Sequence, residues 1–325
     1  MEISSAVTHR FTFHGRGAEF ALLVLKNIIL TILTLGVYHF WAKVNSRRYL
    51  WQASSFAGAR FVYHGTPMEL FKARMILFAV ILVSSLGVFA LSSALGSTVG
   101  PVAAAAVFYL VFFFAFFVIV PFAVVSGLRY RFSRTTWRGI RLGMKDCQKE
   151  YVLTWLKGYF LTIITLGIYA SWWHDATYSI LVNNTRVGTL KLRYTGKGAD
   201  LMWTYIRGFL LSLVTFGIYS AWFAAQVIRY RAEHTYLGNA TDGHARAEAT
   251  VTGGEIFVQF LLQYLLLIFT LGLALPWIVT NTLTWSMERL RLNGRINFDA
   301  VAQKATEKTG AFGDGIGDAL DLGLV

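Results

Sequence analysis

The residues whose chemistry stands out are polar groups set inside apolar stretches. His174 and Asp175 lie seven and eight residues after Gly167, and Asp175 is the one carboxylate well inside a predicted membrane hairpin. Lys43 lies seven residues after Gly36, with Arg47 and Arg48 a turn further on. Gln226 and Asn281 hold comparable depths after Gly217 and Gly272. Groups that are costly in hydrocarbon are kept inside a membrane where they face protein, water or a site. Such a set could line a water-filled path for a solute, with Asp175 paired to a cation at Lys43, Arg47 or Arg48. The plainer alternative is that the Lys and Arg side chains snorkel to the inner interface, and that the helices carrying them lie in that interface.

The other chemistries find no footing. The chain has no phosphate-binding loop, no paired Cys or His spacing suited to a metal, and no Gly-x-Ser-x-Gly elbow. We therefore expect no catalytic residue, no metal and no cofactor. His14 and His64 hold the same place beside a glycine in two repeats, which points to structure rather than ligation. The single cysteine, Cys147, cannot form an intrachain disulfide.

The elements that must position these residues come from an internal repeat. Thr34-Leu35-Gly36-Val37-Tyr38-His39-Phe40-Trp41 returns around Gly167, Tyr169 and Trp172, and again around Gly217, Tyr219 and Trp222. A fourth copy, around Gly272 and Trp277, has Ala274 in place of the tyrosine and adds Pro276. A carboxylate stands 17 residues before each glycine: Glu19, Glu150, Asp200 and Glu255. An acid suits a helix N-terminus, and the apolar run after it is about 25 Å of helix at 1.5 Å per residue. Glycine can end that helix in the left-handed conformation, and Tyr and Trp suit a membrane–water boundary. Each unit therefore reads as two helices joined by a tight aromatic turn.

Composition agrees with a membrane setting. The 325 residues are 55% hydrophobic and 14% charged, and Met75 to Leu95 and Val102 to Leu128 carry no charge. The net charge of +13 does not point to nucleic acid, because of where it lies. All 30 Lys and Arg fall in six blocks, 10–26, 43–74, 129–157, 186–207, 229–246 and 289–308, and every glycine turn lies between blocks. That is the positive-inside pattern with all connectors on one side. Connectors and both termini are expected to be cytoplasmic, and the basic face to meet anionic lipid headgroups.

The expected fold is an α-helical polytopic membrane protein of five repeated helix hairpins. It has about ten membrane helices, the second of each pair either spanning or short and interfacial. The repeats are 10–66, 67–146, 147–197, 198–253 and 254–300, followed by a flexible tail over 301–325. The second repeat lacks the turn motif and has two long helices, about 70–95 and 102–128, joined through Gly96 to Pro101. Arg10-Phe11-Thr12-Phe13-His14-Gly15 and its near copy Arg60-Phe61-Val62-Tyr63-His64-Gly65 read as strands. About six such segments are expected to pair as a small cytoplasmic sheet or ring, with the first and last strands closing its edges.

The run from Thr34 through Trp41 to Arg47-Arg48-Tyr49 resembles the YjgN family of bacterial inner-membrane proteins of unknown function, as does Thr135-Thr136-Trp137-Arg138-Gly139-Ile140-Arg141. The resemblance covers most of residues 10–300 and implies an inner-membrane location. It supplies no reaction and no catalytic residues. Two functions then compete. One is a pore or transporter whose path is lined by the second helix of each hairpin, for anionic or amphipathic solutes. The other is a non-transporting scaffold that binds anionic lipid or a protein partner through the basic strand layer.

Overall fold

In the computed structural model, which describes residues 7–239 and 243–303, the chain repeats strand, helix, helix, strand five times. Unit one is β1 (Thr8–Phe13), α1 (Gly17–Leu33), α2 (His39–Ala53) and β2 (Ser54–Phe56). Unit two is β3 (Ala59–Tyr63), α3 (Pro67–Val99), α4 (Pro101–Ser133) and β4 (Thr135–Trp137). Unit three is β5 (Ile140–Met144), α5 (Gln148–Ile164), α6 (Ala170–Asn183) and β6 (Thr185–Val187). Unit four is β7 (Leu190–Tyr194), α7 (Gly198–Val214), α8 (Ser220–Glu233) and β8 (Thr235–Asn239). Unit five is β9 (Gly243–Ala249), α9 (Gly253–Phe269), α10 (Leu275–Arg289) and β10 (Leu290–Ile296).

Each strand pairs antiparallel with its neighbours in the chain, and β1 pairs with β10 through Thr8–Asn293 and Arg10–Arg291. The result is a closed ten-stranded barrel. The two strands of each unit pair with each other, so every helix pair leaves and re-enters the barrel at one rim. The described turns between units lie at the other rim. Around the helical rim, α2 packs on α3, α4 on α5, α6 on α7, α8 on α9, and α10 on α1.

This corrects the expected polytopic helical bundle over a small sheet of about six strands. The organising body is the closed antiparallel barrel, and among the described residues no helix is long and apolar enough to cross a membrane. The first helices α1, α5, α7 and α9 have 17 residues each, about 25 Å against roughly 30 Å of hydrocarbon. Ten strands form where about six were expected because each inner connector holds two. The strand that follows each of the first three helix pairs is only three residues long, as in Ser54-Ser55-Phe56, and such a segment shows no alternation. The intervening turns, Ala57-Gly58 and Arg138-Gly139, have positive φ at both positions. That is the two-residue hairpin whose twist matches the strands it joins. The expected flexible tail lies outside the described residues from 304 onward.

The turn motif is built as a left-handed pair. Leu35 has φ 49° and Gly36 φ 91°, Gly36 N donates to Thr31 O, and Tyr38 N donates to Thr34 Oγ1 at 3.0 Å. The fourth copy keeps this geometry despite Ala274 and Pro276: Leu271 has φ 50°, Gly272 φ 88°, and Ala274 N donates to Thr270 Oγ1 at 3.1 Å.

The repeated acid does more than meet a helix dipole. Glu69, which holds the same place in the first turn of α3, accepts from Arg134 at 2.6 Å and from Tyr130 Oη at 2.8 Å; Asp200 accepts from Tyr230 Oη at 2.8 Å; Glu255 accepts from Arg289 at 2.9 Å; Glu19 accepts from Tyr49 Oη at 3.3 Å. In each of these units the acid ties the start of the first helix to the end of the second. Neighbouring units meet at a tryptophan and a glycine. A Cβ at Gly253 would lie 2.4 Å from the Trp222 ring, one at Gly198 would lie 2.6 Å from Trp172 Cα, and one at Gly17 would lie 2.4 Å from the Trp277 ring. The last of these joins unit one to unit five and closes the ring. The motif tryptophans Trp172, Trp222 and Trp277 are thus joints between repeats.

Candidate functional site in the barrel lumen

Strand alternation turns every second side chain into the barrel. Eight strands give an interior that side chains just fill or that holds one small ligand, and ten make it wider. On β9 the buried side chains are Ala245, Ala247 and Ala249, too small to make up the difference. The space left is a cavity of about 470 Å³ on the barrel axis. Its wall is apolar, with Phe56, Phe61, Leu192, Leu237, Ala247 and Leu292 among the lining residues.

The two ends differ. At the turn rim the cavity is floored by Phe298, which lies in a short 3-10 turn, Phe298–Ala300, and meets Trp137 edge to face at 5.2 Å and Phe56 at 5.6 Å. Arg138 holds this turn in place through an ion pair to Asp299 at 2.8 Å. At the helical rim the lining residues are Tyr178 of α6 and Ile228 and Arg231 of α8. The Arg231 guanidinium sits over the Tyr178 ring, 4.6 Å from its centroid, and one terminal nitrogen donates to His174 O at 3.2 Å. Arg231 Nε is shielded and has no hydrogen-bond partner.

Beside this mouth lies the buried Asp175, which accepts from Tyr194 Oη at 2.5 Å. Burial pushes the Asp175 carboxyl above its usual range, against the Tyr194 hydrogen bond and the Arg231 charge that favour the anion. Burial, and then the Arg231 charge, push the His174 imidazole below its usual value. His174 stacks between Trp173 and Tyr205, at 4.9 and 5.8 Å. The mouth therefore sets the Arg231 guanidinium beside an imidazole and a carboxyl whose charged forms are both disfavoured by burial.

The structure brings two of the seven candidate pathway residues together here, His174 and Asp175. Asp175 meets Tyr194 and the field of Arg231 rather than a cation of α2. Lys43, Arg47 and Arg48 lie on α2. Arg47 is 2% exposed and donates to Tyr63 Oη at 3.3 Å, and Arg48 donates to Gly65 O at 3.2 Å. Gln226 donates to Tyr219 Oη at 3.4 Å. Asn281 lines a separate cavity of about 380 Å³ between α9 and α10. His14 and His64 bond to the threonines Thr12 and Thr136. Cys147 is buried, its thiol pushed up to about 11 by burial. Among the described residues no cluster of His, Cys, Asp or Glu could hold a metal.

Sequence reasoning missed Arg231, Tyr178 and Phe298. The repeat gave no signal for the first: Arg229-Tyr230 aligns with Arg48-Tyr49, and Arg231 falls where the first repeat has Leu50.

Comparison with known proteins gives a family. A profile described as "Bacterial protein of unknown function (DUF898)" matches residues 8–209 and 223–319. This chain belongs to that family. The inner membrane protein YjgN of Salmonella typhimurium is 30% identical over 145 residues, 44% of this chain and 33% of the relative. The YjgN proteins of Escherichia coli O157:H7 and strain K12 are 28% and 27% identical over 161 residues, 48% of this chain and 35% of each relative. The match spans about a third of the length of these relatives. No solved structure matches. The names of these relatives support a bacterial inner-membrane location for this chain.

Proposed function

We propose that this protein is a transporter of amphipathic anionic solutes at the inner membrane, and that solute is held in the barrel lumen. One observation carries the reading. An apolar cavity of about 470 Å³ lies on the axis of the closed barrel, with a cation at its helical mouth and an aromatic floor at the other end. The path expected along all five second helices narrows here to a mouth formed by α6 and α8. The protein passes its solute unchanged under this reading, and no residue is assigned a catalytic role.

The test is uptake of a permanently charged aryl sulfonate by proteoliposomes containing the full chain. Uptake above that of empty liposomes is expected. Filling the lumen with Ala247→Phe should abolish it, and Phe298→Ala should raise it. Uptake that ignores both substitutions would remove the lumen from the path.

A second reading, a scaffold that binds anionic lipid, draws on the exposed cations Arg10, Arg60, Arg141 and Arg193 on the strands. It predicts no uptake at all, together with vesicle binding that grows with the anionic lipid fraction and weakens with salt.

A further inference from the structure

We infer that the lumen binds a single-chain amphiphile, its hydrocarbon tail among the barrel aromatics and its anionic head group on Arg231. This deepens the proposed function and rests on the lumen being a solute site; it does not depend on transport.

The cavity falls within the range of small-ligand sites, roughly 300–1,000 Å³, that combine an apolar wall with a few placed polar groups. Its wall is shaped for a chain rather than a polar body. Phe56, Phe61, Leu192 and Leu292 present hydrocarbon, and the small Ala247 leaves room between them. The hydroxyl of Thr235, which also lines the cavity, is spent on Arg231 O at 2.7 Å. A ligand with polar groups along its length would leave them unpaired in this wall.

Arg231 supplies the charge complement. It is the one charged side chain among the described lining residues. Its Nε lacks a hydrogen-bond partner, and the hydrogen bond that one of its terminal nitrogens makes goes to a neutral carbonyl, His174 O. The nearby acid, Asp175, is turned to Tyr194 Oη, from which it accepts a hydrogen bond. Shielded cations are ordinarily paired, and a guanidinium pairs best with the two oxygens of a carboxylate or phosphate. The Tyr178 ring under the guanidinium fixes its plane at the mouth. Phe298 closes the far end, so the tail enters from the helical rim and stops on that ring.

The experiment measures binding of dodecanoate, dodecyl phosphate and dodecanol to the full chain in lipid nanodiscs, by titration calorimetry, with empty nanodiscs as the blank. The two anions should saturate at one per chain. The alcohol should bind roughly ten- to a hundredfold more weakly, the usual effect of losing one hydrogen-bonded charge. Arg231→Gln should bring the anions to the level of the alcohol and leave the alcohol unchanged. Ala247→Phe should abolish all three while circular dichroism and thermal stability stay as in the parent. Equal binding of anion and alcohol, an anion preference that survives Arg231→Gln, or binding that survives Ala247→Phe would each overturn the assignment. Saturable binding without sulfonate uptake keeps this site and removes the transporter. Uptake without saturable binding does the reverse.

Discussion

Two adjacent glycines at the start of α9 should respond to the same substitution with opposite signs. A Cβ at Gly253 would lie 2.4 Å from Trp222 Cγ and Cδ1 and 2.6 Å from Trp222 Cα, whereas one at Gly254 would meet nothing within 4 Å. The indole can rotate away, but Cα cannot move without shifting α8. Alanine in place of helical glycine gains about 0.5–1 kcal/mol at either site. Overpacking at Gly253 costs about 1–3 kcal/mol, and because the helical gain is common, the difference between the two variants is that overpacking alone. For a chain this long, about 2 °C of Tm accompanies each kcal/mol, so the variants should separate by roughly 2–6 °C. Thermal unfolding followed by tryptophan fluorescence in one detergent measures this directly. Gly254→Ala should melt at or above the parent and Gly253→Ala below it. Gly198→Ala, whose Cβ would lie 2.6 Å from Trp172 Cα, should behave like Gly253→Ala. If Gly253→Ala and Gly254→Ala melt together, the tryptophan–glycine joint does not hold neighbouring repeats.

Three further outcomes follow from the same geometry. The hydrogen bond from Arg289 holds the Glu255 carboxyl down to about 2; burial pushes Glu69 up, but hydrogen bonds from Arg134 and Tyr130 outweigh it and leave it below its usual value. Both carboxyls therefore contribute stability that is fully present above pH 4.5 and lost as pH falls, for Glu255 down to about 2. Melts across that window should show Arg289→Met to be less acid-sensitive than the parent, and an identical slope would refute the clamp. Asp175 has the opposite sign: its folded value is raised, so its contribution is fully present below pH 3.8 and lost as pH rises through the raised folded value. Asp175→Asn keeps an acceptor for Tyr194, so at pH 7 it should be at least as stable as the parent; a lower Tm would mean the charge itself is needed. At the turn tips Leu35, Leu166, Phe216 and Leu271 are 96%, 91%, 99% and 93% exposed, all with φ near 50°. Phe216→Asn, a residue that tolerates this conformation, should raise stability by about 1 kcal/mol in detergent, and a drop in Tm would show that the ring is used within the fold.

Much of the architecture was legible because it is local. The five units, the left-handed glycine turn and the acid opening each first helix recur in the chain, and each depends on residues within a few positions of one another. The partners of those acids were not legible. Tyr130 and Arg134 reach Glu69 only once α3 and α4 lie side by side, and nothing in the local pattern marks which end-of-helix side chain will arrive. The three-residue strands were invisible for a related reason: Thr135-Thr136-Trp137 becomes a strand because β3 and β5 flank it.

The sequence by itself determined that this chain is a fivefold repeat of helix pairs with polar links, since repetition and apolar run length are properties of the chain alone. Only the tertiary structure decided that the links close into a ten-stranded barrel, that Trp277 meets Gly17 to seal the ring, and that Arg231 stands at the mouth of an apolar lumen floored by Phe298. Ring closure and an enclosed volume arise from contacts between residues far apart in the chain, and no local pattern encodes which distant side chains will share a wall.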